Sequence, residues 1–264
     1  MHTRIRYAAA AVTGALALSA LAVPAAQAGP VGPADDVQGD TQISNVIVNG
    51  GKSIVVGSSG KASVTVKLTA SDPSGISDAG GILYHGTDVT HNDWGVTLPS
   101  CGEHSVTTYT CTFALKSNSD RPFDVIKNSQ AGTWKMWAYA LGADGDYRFT
   151  DPAKTFKVLR AAQLTANASP EPVKKGRTIT VTGSLTRANW ETQKNIGYGS
   201  QSVQLQFRKK GSTAYTTVKT VKSSSTGALK TTVTASTDGY YRFSYAGSAT
   251  TASTAVAGDY IDVQ

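Results

Sequence analysis

The sequence predicts an all-β protein made of two tandem antiparallel β-sandwiches, and two observations lead to this class. Two stretches a hundred residues apart share one pattern, Gly132-Thr-Trp-Lys-Met136 and Gly239-Tyr-Tyr-Arg-Phe243. Each begins with Gly, has large apolar residues at its third and fifth positions and is basic at its fourth, which is typical of a half-buried antiparallel strand. Short runs rich in β-branched and aromatic residues also recur along the chain between Gly and Ser/Thr clusters, without a helical period.

The N-terminus has the features of a secretory leader. Arg4 and Arg6 precede an Ala/Leu/Val run over 8–23, and Ala26-Gln-Ala28 supplies the small-x-small pattern that a signal peptidase cleaves. We therefore expect a signal peptide over 1–28 and a secreted, extracellular mature protein without a membrane span, for which non-covalent cell-wall association is an option. The next segment, 29–40, is rich in Gly, Pro and Asp and predicts a flexible arm.

The remaining chain is long enough for two domains, which we place at 41–158 and 159–264. In the first, Ile43, Val46 and Val48 indicate an opening strand, and 63–70 alternates apolar and polar residues. Asp72-Pro-Ser-Gly75 and Asp144-Gly-Asp146 predict tight turns. Further strands are expected at 96–98, 108–113, 134–138, 147–149 and 156–158.

The second domain has six short apolar runs at the spacing that a β-sandwich requires. They cover 179–181, 203–207, 215–221, 229–235, 240–245 and 260–263. An early run of this domain, Gly176-Arg-Thr-Ile179-Thr-Val181, matches Gly60-Lys-Ala-Ser-Val64-Thr-Val66 in the first after a one-residue slip, which favours a duplicated topology.

Two cysteines, Cys101 and Cys111, are present in the chain. Because a secreted protein meets an oxidising exterior, we expect a disulfide between them. Closing so short a ring should stabilise the fold by about 3 kcal/mol. Since the Cys-x-x-Cys spacing is absent, a structural role is favoured over a redox role.

Several of these phrases resemble a known family. Asp72-Pro-Ser-Gly-Ile76 and Gly132-Thr-Trp-Lys-Met136 are similar to the exit of strand B and the entry of strand F in bacterial immunoglobulin-like surface domains. In the second half, 175–183 and Asp238-Gly-Tyr-Tyr-Arg242 resemble immunoglobulin-like (Ig-like) modules of secreted proteins from high-GC Gram-positive bacteria. The resemblance implies tandem Ig-like sandwiches in an extracellular setting, with Tyr241 as a tyrosine-corner residue. Fold alone does not fix the function of such modules.

Metal binding is suggested by acidic and histidine residues in the first domain. His85, Asp88, His91 and Asp93 offer the imidazole and carboxylate ligands that suit zinc-like cations. Calcium could instead use Asp72 with Asp78, or Asp144 with Asp146 and Asp151. A polar surface loop and ordinary turn chemistry account for the same residues, and no other cofactor is expected.

The sequence does not have the motifs of common enzymes. No Gly-x-Ser-x-Gly elbow is present, and a Ser-His-Asp triad would have to take its base from the single histidine-bearing stretch. We therefore expect a non-enzymatic protein, with an unrecognised hydrolase as the alternative.

Charge separates the two domains. Residues 29–158 have 10 Lys/Arg and 13 Asp/Glu, a net of −3, whereas residues 159–264 have 13 and 5, a net of +8. An anionic extracellular polymer, such as a cell-wall polymer, would be attracted to the second domain. Solubility, protection of edge strands and docking of the acidic domain onto the basic one are alternatives, and no specific nucleic-acid motif is present. The basic residues form two groups: Lys174, Lys175 and Arg177, and Arg208, Lys209 and Lys210.

Aromatic residues offer a second kind of binding site. If Trp134, Met136 and Ala138 face the core, Trp137 and Tyr139 point the other way, where they could stack on sugar rings. Packing at a domain junction is the alternative. The sequence therefore predicts a secreted binding or structural module, with anionic polymer as the first ligand and carbohydrate as the second.

Overall fold

The computed structural model describes residues 35–98, 108–116 and 125–264. The predicted leader over 1–28 and Cys101 lie outside these residues, so the cleavage site and the disulfide with Cys111 stay predictions. In the described part of the chain, no helix is long and apolar enough to cross a membrane.

The first half of the chain folds into nine strands among the residues described. Two short 3-10 turns, Asn49–Gly51 and Asn128–Gln130, accompany them. The strands are β1 (Asp36–Gln38), β2 (Gln42–Val48), β3 (Ile54–Val56), β4 (Lys61–Ser71), β5 (Ile76–Gly86), β6 (Asn92–Thr97), β7 (Thr108–Lys116), β8 (Gly132–Gly142) and β9 (Tyr147–Arg160).

These strands form two sheets. One has the order β1-β9-β8-β5-β6, with β3 added in parallel to β9, and the other has the order β2-β4-β7. Alternation places Val64, Val66 and Leu68 of β4 inside, each at most 2% exposed, and the core lies between the two sheets. The expected alternation over 63–70 is thereby confirmed, and so is the turn at Asp144-Gly-Asp146, which joins β8 to β9.

The second half also forms a two-sheet arrangement. In one sheet β12 pairs with β10, β11, β13 and β16, and the other has the order β15-β14-β17-β18 with β19 also on β17. The core contains Tyr241 and Phe243 of β17, the counterparts of Trp134 and Met136 in β8. The strands are β10 (Ala162–Leu164), β11 (Asn167–Ser169), β12 (Thr178–Asn189), β13 (Lys194–Gly197), β14 (Ser202–Lys209), β15 (Thr216–Lys222), β16 (Ala228–Thr234), β17 (Gly239–Tyr245), β18 (Thr254–Ala255) and β19 (Asp259–Ile261).

The protein is therefore all-β and built of packed antiparallel sheets, as the sequence predicts. The two repeated stretches are the central strands β8 and β17, and in both the third and fifth residues are buried while the fourth is half-buried. This shared burial pattern explains why the two halves resemble each other in sequence at these strands.

The expected flexible arm over 29–40 differs from the structure in its last part. Asp36–Gln38 pairs antiparallel with Tyr147–Phe149 at the edge of the first sheet, and the Arg148 guanidinium lies 3.1 Å from the Asp35 carboxylate. The polar composition misled the prediction because backbone hydrogen bonds to an open sheet edge do not require apolar side chains.

The two halves are joined by more than a linker. Strand β9 runs past the predicted domain boundary at residue 158, and Arg160 at its end forms a bridge with Thr251. Trp190 is fully buried and packs in the core of the first half, where its indole N–H donates to Val56 O at 3.2 Å. By their contacts, the described residues belong to one compact unit, and the exact domain limits stay predictions.

Candidate functional site

A cationic and aromatic surface covers the outer face of the sheet formed by β15, β14, β17 and β19. Because Leu205 and Phe243 point into the core, their neighbours along β14 and β17 point outwards. The register then places Arg208 beside Tyr240 and Tyr240 beside Tyr260. We call this surface the Tyr-Arg face, and its half-buried residues are Gln206, Arg208, Tyr215, Tyr240, Arg242 and Tyr260.

The arginines of the Tyr-Arg face are held by tyrosine rings. The guanidinium carbon of Arg208 lies 4.0 Å from the Tyr240 ring centroid and 5.3 Å from that of Tyr215. The guanidinium of Arg242 lies 3.7 Å from the Tyr215 ring centroid, and its Nε donates to Gln206 Oε1 at 2.9 Å. Cation–π contact favours the charged form without cancelling the charge.

Neither arginine is neutralised by an acid within the part of the chain that the structure describes. The ion pairs there involve His85, His91, Arg148 and Lys210, and none involves Arg208 or Arg242. Two guanidinium groups therefore present their charge on a half-buried sheet surface. Such a group offers paired N–H donors to carboxylates, sulfates and phosphates.

The other residues of the second predicted basic group behave differently from Arg208. Lys210 Nζ lies 3.3 Å from Asp238 Oδ2 and 3.1 Å from Tyr260 Oη, and the Tyr260 hydroxyl and the Asp238 carboxylate raise the pKa of Lys210. Lys209 is exposed at the end of β14. Asp238 thus offsets part of the charge of Lys210, while Lys209 and Arg208 keep theirs.

The first predicted basic group lies near the same end of the second half. Lys174, Lys175 and Arg177 are exposed in the turn between β11 and β12. Lys175 N–H donates to Gln264 O at 2.8 Å, and the neighbouring C-terminal segment donates from Val263 N–H to Asp238 Oδ1 at 3.0 Å. The turn is therefore linked through the C-terminal segment to the Asp238–Lys210 pair.

An aromatic strip covers the outer face of the first large sheet. The ring centroids of Trp137 and Tyr139 are 5.5 Å apart, those of Trp137 and Phe149 are 5.6 Å apart, and Tyr147 stacks on Phe149 at 4.8 Å. All four side chains of the strip are half-buried. The predicted outward direction of Trp137 and Tyr139 is confirmed, and Tyr147 and Phe149 of β9 are partners that a single strand pattern does not reveal.

Glycine makes room for this strip. A Cβ added at Gly80 would lie 2.9 Å from the Tyr139 hydroxyl oxygen, so a side chain there would displace the ring. The Tyr139 hydroxyl donates to Asp78 Oδ2 at 3.0 Å. The ring therefore lies against the β5 backbone, with its hydroxyl anchored at one end.

The predicted histidine and aspartate ligands lie in two separate pairs. His85 Nδ1 is 2.7 Å from Asp93 Oδ1, and His91 Nδ1 is 3.0 Å from Asp88 Oδ2. Asp88 also accepts hydrogen bonds from Thr90 and from the His91 backbone, and the Thr90 hydroxyl is the main cause that lowers the pKa of Asp88 to about 2. Among the residues described, the four do not form a common group for a metal ion. Two of them, Asp88 and His91, take part in the hydrogen bonds of a turn.

Three carboxylates converge at another place. One oxygen each of Asp40, Asp72 and Asp146 lie within 4.8 Å of one another, where the turns before β2, after β4 and before β9 meet. Burial, and then Asp72 and Asp146, raise the pKa of Asp40, whereas hydrogen bonds from Ser74 lower that of Asp72. The cluster combines members of the two predicted calcium sets with an acid of the predicted arm, a combination that no local spacing could indicate.

The other members of the predicted calcium sets have their own partners. Asp78 accepts from Tyr139, and Asp151 accepts from the Tyr84 hydroxyl and the Val89 backbone. Asp144 accepts from the Asp146 backbone N–H at 3.2 Å within the β8–β9 turn. The predicted combinations thus do not form as sets.

No family model and no curated protein matches the sequence. Among solved structures, the chain is similar to the D0-D1 domain of intimin, with 14% identity over 83% of this chain and 98% of that one and a TM-score of 0.27. The three N-terminal domains of the bacteriophage RB49 outer capsid protein Hoc are 8% identical over 85% and 70% of the two chains, with a TM-score of 0.30. A chimeric titin Z1Z2 is 11% identical over 85% and 96%, with a TM-score of 0.24. At these TM-scores the likenesses carry no functional inference, and the all-β class follows from the strands of the chain itself.

Proposed function

We propose that the protein is an extracellular, non-enzymatic binding module that holds an anionic polymer, such as a cell-wall polymer, on its Tyr-Arg face. The observation that carries the proposal is the pair of stacked arginines, Arg208 and Arg242, without an ion-pair partner in the described chain. The net charge of +8 over 159–264 adds a long-range attraction for polyanions. The extracellular setting rests on the predicted leader over 1–28.

The side chains of the Tyr-Arg face favour a polysaccharide with acidic substituents as the ligand. The faces of Tyr240 and Tyr260 are half-buried aromatic surfaces on which a sugar ring can stack. Arg208 Nη1 donates to Ser212 O at 2.6 Å and Arg242 Nε to Gln206 Oε1, and the remaining N–H groups of both guanidinium groups can donate to an acidic substituent. Lys174, Lys175, Arg177 and Lys209 would extend the attraction beyond the face, because exposed lysine acts mainly as a point charge.

The test compares polymers that differ only in charge. Retention of the purified protein on immobilised dextran sulfate and on neutral dextran is measured at low salt and at about 1 M salt, where the screening length falls to about 3 Å. We expect retention on dextran sulfate alone, and release at high salt. Equal retention on both polymers, or retention that salt does not weaken, would overturn the proposal.

Matched variants locate the contact. Arg242→Gln should weaken binding to dextran sulfate and lower the slope of log affinity against log salt by about 0.7–0.9. Lys230→Gln removes the same charge from β16, on the other sheet, and should have a clearly smaller effect. If both variants weaken binding equally, net charge rather than the Tyr-Arg face governs retention.

A second candidate function is stacking of neutral saccharide on the aromatic strip. It is favoured by the convergence of Trp137, Tyr139, Tyr147 and Phe149 on one sheet face. Such binding would be insensitive to salt, because ring stacking involves no ion release. Retention on insoluble cell-wall glycan at about 1 M salt, lost in Trp137→Ala and kept in Trp137→Phe, would support it, whereas retention unchanged in Trp137→Ala would exclude it.

A further inference from the structure

Three buried polar atoms that have no hydrogen-bond partner within 3.5 Å lie at the junction of the two halves. Within the described residues they are Arg160 Nη2, Arg187 Nε and Thr251 Oγ1. Arg160 and Thr251 form a backbone bridge, and Arg187 is paired with Ala162, two residues beyond Arg160. Because buried polar atoms are nearly always hydrogen-bonded, three such atoms at one junction require an explanation.

Arg160 is fixed in place. It is 5% exposed, its Nε donates to Ala188 O at 2.5 Å, and its backbone N–H and carbonyl are bonded to Thr250 and Ala252. Burial, and then the neighbouring charge of Arg187, lower the pKa of Arg160 to about 10. Its guanidinium therefore remains charged at neutral pH but is deprived of water on the Nη2 side.

The surroundings of Arg160 do not provide a matching carboxylate. Glu191 is close enough for its charge to raise the pKa of Arg160, yet within the described chain neither Arg160 nor Arg187 has a carboxylate oxygen within 4.0 Å. Glu191 Oε1 instead accepts from the Asn128 backbone N–H at 2.8 Å. A buried cation without a paired anion is costly, so a counter-ion here would stabilise the fold.

Arg187 is also held in a defined position. Its guanidinium carbon lies 4.0 Å from the Tyr198 ring centroid, and the Tyr198 hydroxyl lies 3.4 Å from Ser248 Oγ. The segment that contains Ser248 also contains Thr251, which is fully buried and whose hydroxyl is close enough to interact with the Tyr198 hydroxyl. Two guanidinium groups and a hydroxyl are thus carried by β9, β12 and the segment before β18, and Arg187 is close enough to Arg160 for its charge to lower the pKa of Arg160.

We propose that this junction binds one oxyanion, a sulfate, phosphate or carboxylate group, through Arg160, Arg187 and Thr251. Each of the three atoms without a partner can donate a hydrogen bond, and an oxyanion is the ligand that accepts several while balancing positive charge. The site differs from the Tyr-Arg face, which lies on the outer surface of another sheet. An anion held here would connect β9 to the second half and so couple binding to stability.

The experiment is a calorimetric titration of the full chain with inorganic phosphate, inorganic sulfate and acetate at constant ionic strength, with thermal melts in parallel. We expect saturable binding of about one anion per chain and a melting temperature that rises with its concentration. A response to phosphate or sulfate identifies a free oxyanion as sufficient, and a response to acetate alone identifies a carboxylate group; either supports the site. If none of the three binds saturably, the proposal is wrong and the junction is completed by water.

Variants of the other two positions test the site without removing Arg160. Arg187→Gln and Thr251→Val should each weaken binding, Arg187→Gln by about tenfold or more, as expected for a lost charged hydrogen bond. Lys230→Gln serves as the charge control and should bind the anion like the unmodified chain. Unchanged affinity in both Arg187→Gln and Thr251→Val would overturn the assignment. Arg242→Gln should keep this binding while losing dextran sulfate, so that the two proposals fail separately.

Discussion

Trp190 belongs to the second half of the sequence, but its replacement should destabilise the first half of the protein. The indole is fully buried in the first core although residue 190 follows β12 of the second half. Truncation of a buried Trp to Ala removes its transfer free energy and leaves a cavity, for which about 3–5 kcal/mol is expected. Trp190→Ala should therefore lower the free energy of unfolding by that amount.

Trp190→Phe separates packing from hydrogen bonding. The indole N–H donates to Val56 O, but the same oxygen also accepts from Ala161 N–H at 2.9 Å. Because Val56 O keeps a partner, loss of the indole bond costs about 1 kcal/mol rather than a full desolvation penalty. With the smaller ring volume, Trp190→Phe should cost roughly 1–3 kcal/mol.

Urea denaturation followed by far-UV circular dichroism gives these free energies, and hydrogen exchange locates the effect. Protection should fall in β3 and β9, beside the indole, as well as near residue 190. Ile196→Ala is the control, since Ile196 is 37% exposed on β13 and should cost little. A loss below about 1 kcal/mol in Trp190→Ala, or exchange changes confined to the second half, would refute the reasoning.

Three further predictions concern the first half. Because the pKa of Asp88 is about 2 in the fold against an ordinary 3.8, its ionised form stabilises the fold above pH 4, and this contribution is lost as the pH falls towards 2. The urea midpoint of Asp88→Asn should therefore decline less over that range than the midpoint of the unmodified chain. Parallel pH profiles of the two proteins would contradict this. Gly81→Ala would place a Cβ 2.3 Å from Trp137 O and should lower the free energy of unfolding, measured by thermal melts, by roughly 1–3 kcal/mol. Gly57→Ala, whose Cβ would make ordinary contacts, is the control and should leave the stability nearly unchanged. Equal melting temperatures of the two variants would speak against the clash. Since the pKa of Asp40 is raised, its charge opposes folding above pH 4, so Asp40→Asn should raise the melting temperature at low salt and less at high salt; a lowered melting temperature at low salt would be the contrary result.

The sequence predicts the strands best where burial on one face dictates the pattern. The alternation along β4 and β8 correctly gives the inward and outward residues, because every second side chain must enter a core. The Asp144-Gly-Asp146 turn is equally local, since Gly145 takes a φ of +99° that most other residues avoid. These features depend on neighbours in the chain.

The candidate sites depend on pairing across strands, which no local pattern contains. The stack of Arg242 on Tyr215, with Arg208 nearby, arises because β14 pairs with β17 on one side and with β15, which Tyr215 precedes, on the other. For the same reason, the basic residues selected from their clustering in sequence include Arg208 but omit Arg242. Arg160 and Arg187 come close to each other because β9 continues into the junction of the two halves. The sequence predicted a domain boundary at residue 158 and therefore did not indicate a site there.

The parallel pairing of β3 with the end of β9 has a mechanical consequence. Ile54, Val55 and Val56 pair in register with Val158, Leu159 and Arg160, and the chain continues from there into the second half. A load applied between the start of β3 and the second half pulls these parallel strands in opposite directions along their length, so their backbone bonds are strained in shear and must break together. The short strand β3 therefore acts as a clamp against stretching at the place where the two halves meet.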